Sequence, residues 1–189
     1  MTNFEFVFSL FGLLLGLGLA EVLGGFGKTI QEREKIRVGW LTPLLGIVVA
    51  VDLTSFWSFA WAVRDLVPTS YLVLLTGLLI CGTYYLVARL VFPGDHAQWP
   101  DFDVYYFKHK KWVLGGVVLC NVAASAATMA LGAPLIFSPI DVVGLPSFYL
   151  MSIAAFFARG RRTNIALLSL LAAQYFVFPL VAAVTHTGR

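Results

Sequence analysis

Residues 39–62 read GWLTPLLGIVVAVDLTSFWSFAWA, a run whose one charged side chain is Asp52. A helix rises about 1.5 Å per residue, so roughly 20 apolar residues cross the ~30 Å hydrocarbon core of a bilayer. This run is long enough. It is also too continuous for a barrel strand, in which lipid-facing and lumen-facing residues alternate. The same reading extends over the chain and places membrane spans at 5–26, 39–62, 70–92, 112–132, 140–158 and 164–184. The fifth is the shortest, with Pro146 near its start. The expected fold is therefore all-α: a polytopic integral membrane bundle of about six transmembrane helices, occupying 1–189 as one domain.

Composition supports a lipid environment. Of the 189 residues, 59% are hydrophobic and 12% charged, against roughly 25% charged in a soluble domain. A soluble chain of this size has too much surface to leave so little of it polar. The formal charge of +3 would raise nucleic acid as a partner in a soluble protein. Here the basic residues flank the spans and read as topology signals and lipid headgroup contacts, so no nucleic acid is expected.

The charges also orient the chain. Lys28, Arg33, Lys35 and Arg37 lie after the first span, Arg89, Lys108, Lys110 and Lys111 around the third connection, and Arg159, Arg161 and Arg162 after the fifth span. Eleven of the 13 basic residues thus share one side, leaving Arg64 and Arg189 on the other. Basic loops stay cytoplasmic, so both termini are expected outside, as an even number of spans requires. The first segment is read as a retained helix, since its start has Glu5 and no Lys or Arg before the apolar run. A bacterial inner (plasma) membrane is the expected location, outer-membrane spans being ordinarily barrels.

Small residues recur every fourth position in two spans. Gly12, Gly16, Ala20 and Gly24 form one ridge, and Gly116, Cys120, Ala124 and Thr128 another. Such ridges let a second backbone approach closely, inside the bundle or in a homo-oligomer or membrane-protein partner. Prolines 43, 146 and 179 are candidate kinks. Asp101 is expected to cap a helix running into the fourth span, and Asp141 to cap the fifth. Phe102, Tyr105 and Tyr106 share a face, expected to lie at the headgroups.

The chemistry rests on polar groups at depth. Asp52 falls near the middle of the second span, where an aspartate costs about 2.5–3.5 kcal/mol on insertion scales. That cost asks for a partner, a wet cavity or a proton. Asn121 and Gln174, near the midplane of spans four and six, are candidate members of the same cluster, with Tyr84 and Tyr85 nearby. Glu21 and Arg89 lie at similar depth and are expected to pair, or else Glu21 serves as the inner step of a route to Asp52. Arg64 and Asp65 form a local pair at the outer end of span two.

Enzyme signatures are absent. No glycine-rich phosphate loop, nucleophile elbow or HExxH occurs, and no span carries a histidine to ligate haem. No cofactor or resident metal is expected, although Asp95, His96, Asp101, Asp103 and His109 in the 93–111 connection supply ligand types. Cys81 and Cys120 read as buried thiols. Three functional expectations follow in order. The first is transport or conduction of a proton or small cation around Asp52. The second is a non-catalytic accessory subunit of a larger membrane complex. The third is a lipid-acting membrane enzyme using the 93–111 loop.

Overall fold

The computed structural model describes residues 3–136 and 140–187. Among them run six α-helices and no strand: α1 Asn3–Gln31, α2 Leu41–Ala62, α3 Tyr71–Arg89, α4 Phe102–Ala130, α5 Asp141–Phe157 and α6 Arg161–Thr187. Five are long and apolar enough to cross a membrane. The remaining helix, α5, has 17 residues, about 26 Å, slightly less than the hydrocarbon thickness. The protein is a helical membrane bundle.

Helix α2 is apolar on every side, which suits a helix enclosed by others. It packs against α1, α3, α4 and α6, while α1–α3, α3–α4, α4–α5 and α5–α6 are neighbours around it. Its buried positions Leu45, Val48, Val49, Leu53 and Phe56 join Tyr84, Leu114, Val117, Leu168 and Leu171 in one core. Glycines permit several of these crossings. A Cβ on Gly77 would overlap the Phe11 ring, one on Gly25 the Phe92 ring, and one on Gly116 the Val87 side chain.

Two small-residue ridges behave differently. The α4 ridge packs inward: Gly116 meets Val87, Cys120 Sγ lies 3.6 Å from Ile80 O, and Ala124 is buried. On α1, Gly12 approaches Trp57, but nothing lies within 4 Å of a Cβ placed on Gly16 or Gly24, and Ala20 is exposed. Gly18, against Leu53 and Ala88, and Gly25, against the Phe92 ring, lie at closer approaches of α1.

The basic connections form one layer. Arg37 N donates to Pro100 O (2.7 Å) and Phe102 N to Arg37 O (3.0 Å), an isolated bridge between the first and third connections. Lys28 Nζ reaches Gly94 O at 2.8 Å. Arg161 Nε pairs with Asp103 Oδ2 at 2.6 Å. Asp101 caps α4 as expected, accepting from Asp103 N and Val104 N. Asp103 Oδ1 also accepts from Leu41 N (3.4 Å), serving the start of α2, where Trp40 offers no side-chain cap. Gly39, with φ +36°, is required here twice over: by its left-handed backbone and because a Cβ would strike the Asp103 carboxylate.

Several sequence expectations need correction. Phe102, Tyr105 and Tyr106 are buried within the protein, so their rings are not presented to lipid. Tyr105 Oη donates toward Leu90 O and Phe92 O, satisfying carbonyls where α3 ends. Pro43 lies in the first turn of α2, where its missing N–H has no intrahelical acceptor to lose, so it breaks no bond. Asp141 is the first residue of α5, not its cap. Helices α1 and α6 extend beyond the expected spans into the basic layer, because helical hydrogen bonding does not stop at the bilayer edge. Trp40, Trp61 and Trp112 are exposed, as expected for side chains at membrane interfaces.

Candidate functional site

Helix pairing brings three elements to Asp52. It faces α4 and α6 from the core stripe of α2 and is 1% exposed. Asn121 Nδ2 on α4 donates to its Oδ2 at 3.1 Å and also to Val117 O at 3.0 Å, which fixes the amide. The Tyr175 hydroxyl on α6 donates to Oδ1 in a short hydrogen bond. Both carboxylate oxygens therefore have donors, which lowers the cost of burying the acid. On the same turn, Ser55 Oγ donates to Asp52 O at 2.7 Å.

Asp52 and Asn121 line a cavity of about 530 Å³ between α2, α4, α5 and α6. Its walls include Ser55, Ser58, Ser125, Gln174 and Tyr175, with Phe56, Phe59, Phe148, Phe176 and Phe178. The lining reaches Leu135, Ile140 and Asp141, so the cavity runs to the α4–α5 connection, the end opposite the basic layer. Toward the basic layer, the Leu45–Val49, Leu114 and Leu168–Leu171 core closes the bundle.

The expected cluster forms in part. Gln174 borders the cavity, but its Oε1 accepts from Ser147 Oγ (3.0 Å). Tyr175, the next residue, takes the place expected for it. The signal for Tyr175 was in the sequence: Leu168, Leu171 and Ala172 are the buried stripe of α6, and helical periodicity continues that stripe to 175 and not to 174. Tyr84 packs edge-on against Phe56 with its hydroxyl buried and unpartnered. Glu21 and Arg89 form the expected ion pair at 3.0 Å, with Tyr85 Oη 3.4 Å from the same oxygen. That pair lies between α1 and α3, and neither member lines the Asp52 cavity.

A second polar centre, missed in the sequence, lies near the basic layer. Lys110 turns inward and is 4% exposed. Its Nζ donates to Ala155 O (2.7 Å), to Ala158 O and to Asn164 Oδ1 (3.0 Å). Asn164 also accepts from Tyr106 Oη (2.8 Å) and donates to Ala158 O and Gly160 O. The ammonium thus caps the C-terminus of α5, where a cation suits the helix dipole. Lys110 follows Phe102 and Tyr106 on one helical stripe, and Asn164 precedes Leu168 on another.

The 93–111 connection shows no metal centre among the described residues. Asp95 accepts from Ala97 N, Asp101 caps α4, Asp103 holds Arg161, and His109 stacks on Tyr105. His96 is buried against Phe102, with Nδ1 2.8 Å from Glu32 Oε2. That approach is poorly angled for a hydrogen bond, and Nε2 has no partner. Arg64 pairs with Asp65 at 3.5 Å and covers the Trp61 ring. Comparison with protein-family profiles, curated proteins and solved structures gives no match.

Proposed function

We propose that this bundle moves a small cation, the proton included, across a membrane by way of Asp52. The observation that carries this reading is a buried carboxylate at the floor of a cavity open toward one end of the bundle, with packed apolar side chains beyond it. An acid in that position is costly to keep, and a site open on one side and closed on the other is what alternating access requires of one of its states. Asn121 and Tyr175 hold the carboxylate, and Gln174 and the serines add polar groups to a mostly apolar wall. Glu21 and Arg89 are given a structural role on the α1–α3 face. The proposed setting is a bacterial inner membrane, with the basic layer cytoplasmic and the cavity facing out.

The test is flux in proteoliposomes, screened over protons, alkali cations and small organic ammonium ions. Wild type is expected to show flux, and folded Asp52→Asn to show less than a tenth of it. Undiminished flux in that variant removes Asp52 from the mechanism.

One observation favours a second reading, that of an accessory subunit. Among the described residues nothing lies within 4 Å of a Cβ placed on Gly16 or Gly24, and Ala20 is exposed, leaving a surface on which another helix would pack closely. In that case the protein co-purifies with a larger complex, and Gly16→Leu releases it without unfolding the protomer.

A further inference from the structure

The cavity above Asp52 is larger than a bare metal ion would fill. A metal cation is held by several oxygen ligands converging at about 2–2.6 Å. Here one carboxylate stands at the floor of about 530 Å³, and donors from Asn121 and Tyr175 already occupy both of its oxygens. Cavities of about 300–1,000 Å³, mostly apolar with a few placed polar groups, are the dimensions of organic-ligand sites.

Charge and surface chemistry narrow the class. Asp52 and Asp141 are the charged side chains of the lining, and no lysine, arginine or histidine faces the cavity among the described residues. The eleven cations of the basic layer lie at the other end of the bundle. An anionic ligand would meet the Asp52 carboxylate with no cationic side chain beside it among the described residues. The walls are phenyl rings, including Phe56, Phe59, Phe148 and Phe176, whose faces attract ammonium groups by cation–π interaction. Ser58 is exposed on the lining and, with Asp141, gives the cavity polar groups near its mouth.

From this combination we infer that the cavity binds an organic ammonium ion with an apolar body. The cationic head sits over Asp52, and the body lies among the rings of α2, α5 and α6. The inference rests on reading Asp52 as a cation-handling group, but not on transport.

The probe is benzyltrimethylammonium, a fixed cation of suitable size, paired with neopentylbenzene, its uncharged isostere. Binding is measured on the purified full chain in lipid nanodiscs by equilibrium dialysis. Wild type is expected to hold the cation at least tenfold more tightly than the isostere. Asp52→Asn should reduce cation binding at least tenfold and leave the isostere unchanged. Ser58→Trp, which narrows the mouth without touching Asp52, should weaken both ligands. Equal binding of the two ligands to wild type overturns the inference and points to a lipid chain or another neutral guest. This comparison needs no variant, so it stands even where Asp52→Asn fails to fold. Unchanged cation binding in folded Asp52→Asn also overturns it. Cation binding without flux would support this inference and remove only transport, whereas flux of protons or alkali ions without cation binding would remove only this inference.

Discussion

At the residue scale, burial changed the meaning of three polar side chains. Lys110 counts in the sequence as one of a basic cluster beside a span, yet its ammonium is enclosed by the carbonyls of Ala155 and Ala158 and by Asn164. Removing one partner of such a buried set takes a hydrogen bond from each of the others, and a buried group left unsatisfied costs about 1–3 kcal/mol. Lys110→Met should therefore lower stability by about 2 kcal/mol. Asn164→Leu should cost more, because it removes one of the three acceptors of the ammonium and leaves the buried Tyr106 hydroxyl without its acceptor. Thermal unfolding in detergent, following helicity, checks both; an unchanged midpoint in Asn164→Leu would contradict the assignment. Tyr175 tells a similar story. A hydropathy profile does not say which way residue 175 points, but the helical stripe through Leu168, Leu171 and Ala172 marks that position as inward. What could not be read from the stripe is which residue stands opposite. That depends on α2 and α6 being neighbours, a contact between segments more than a hundred residues apart.

At the scale of elements, helix existence was legible and helix contact was not. Apolar run length predicts the helices well because the bilayer demands internal backbone hydrogen bonding over a fixed thickness. Their ends follow other rules: the Asp101 cap starts α4 ten residues ahead of the expected span, and Ser70 caps α3 by accepting from Val73 N at 3.3 Å. Glycine spacing on α1 left open whether its ridge packs inside the bundle or against a partner. The four-residue ridge was the stronger pattern, but Gly18 and Gly25 lie at the closer intramolecular approaches. This difference yields a paired prediction. Gly25→Leu should destabilise the bundle by about 1–3 kcal/mol, since the Phe92 ring fills the space. Gly16→Leu should leave the unfolding midpoint of the protomer where it is. Matching losses in the two variants, measured side by side in the same detergent, would mean that the ridge is packed after all.

At the scale of the whole molecule, the three basic connections converge on one layer, bound by the Arg37–Pro100 and Phe102–Arg37 backbone pairs and the Arg161–Asp103 bridge. The Asp52 cavity opens at the other end. The proposed orientation rests on the charge rule and is open to labelling. Cys81 and Cys120 are free and buried, so an impermeant maleimide should find little background in intact cells. Thr69→Cys, in the α2–α3 connection, should be labelled from outside. Glu34→Cys should react only after the membrane is opened; reaction in intact cells would invert the bundle and turn the cavity toward the cytoplasm. The sequence by itself determined an all-helical membrane bundle, its segment count and its charge asymmetry, because hydrophobic run length and loop charge are local properties answering to a solvent of fixed thickness. Only the tertiary structure decided that Tyr175 meets Asp52, that Lys110 caps α5, that Glu21 and Arg89 stand apart from the cavity, and that Gly16 and Gly24 of the α1 ridge are left unpacked while Gly12 approaches Trp57. Those outcomes depend on which helices are neighbours and how each is rotated, and side chains distant in sequence set both through packing.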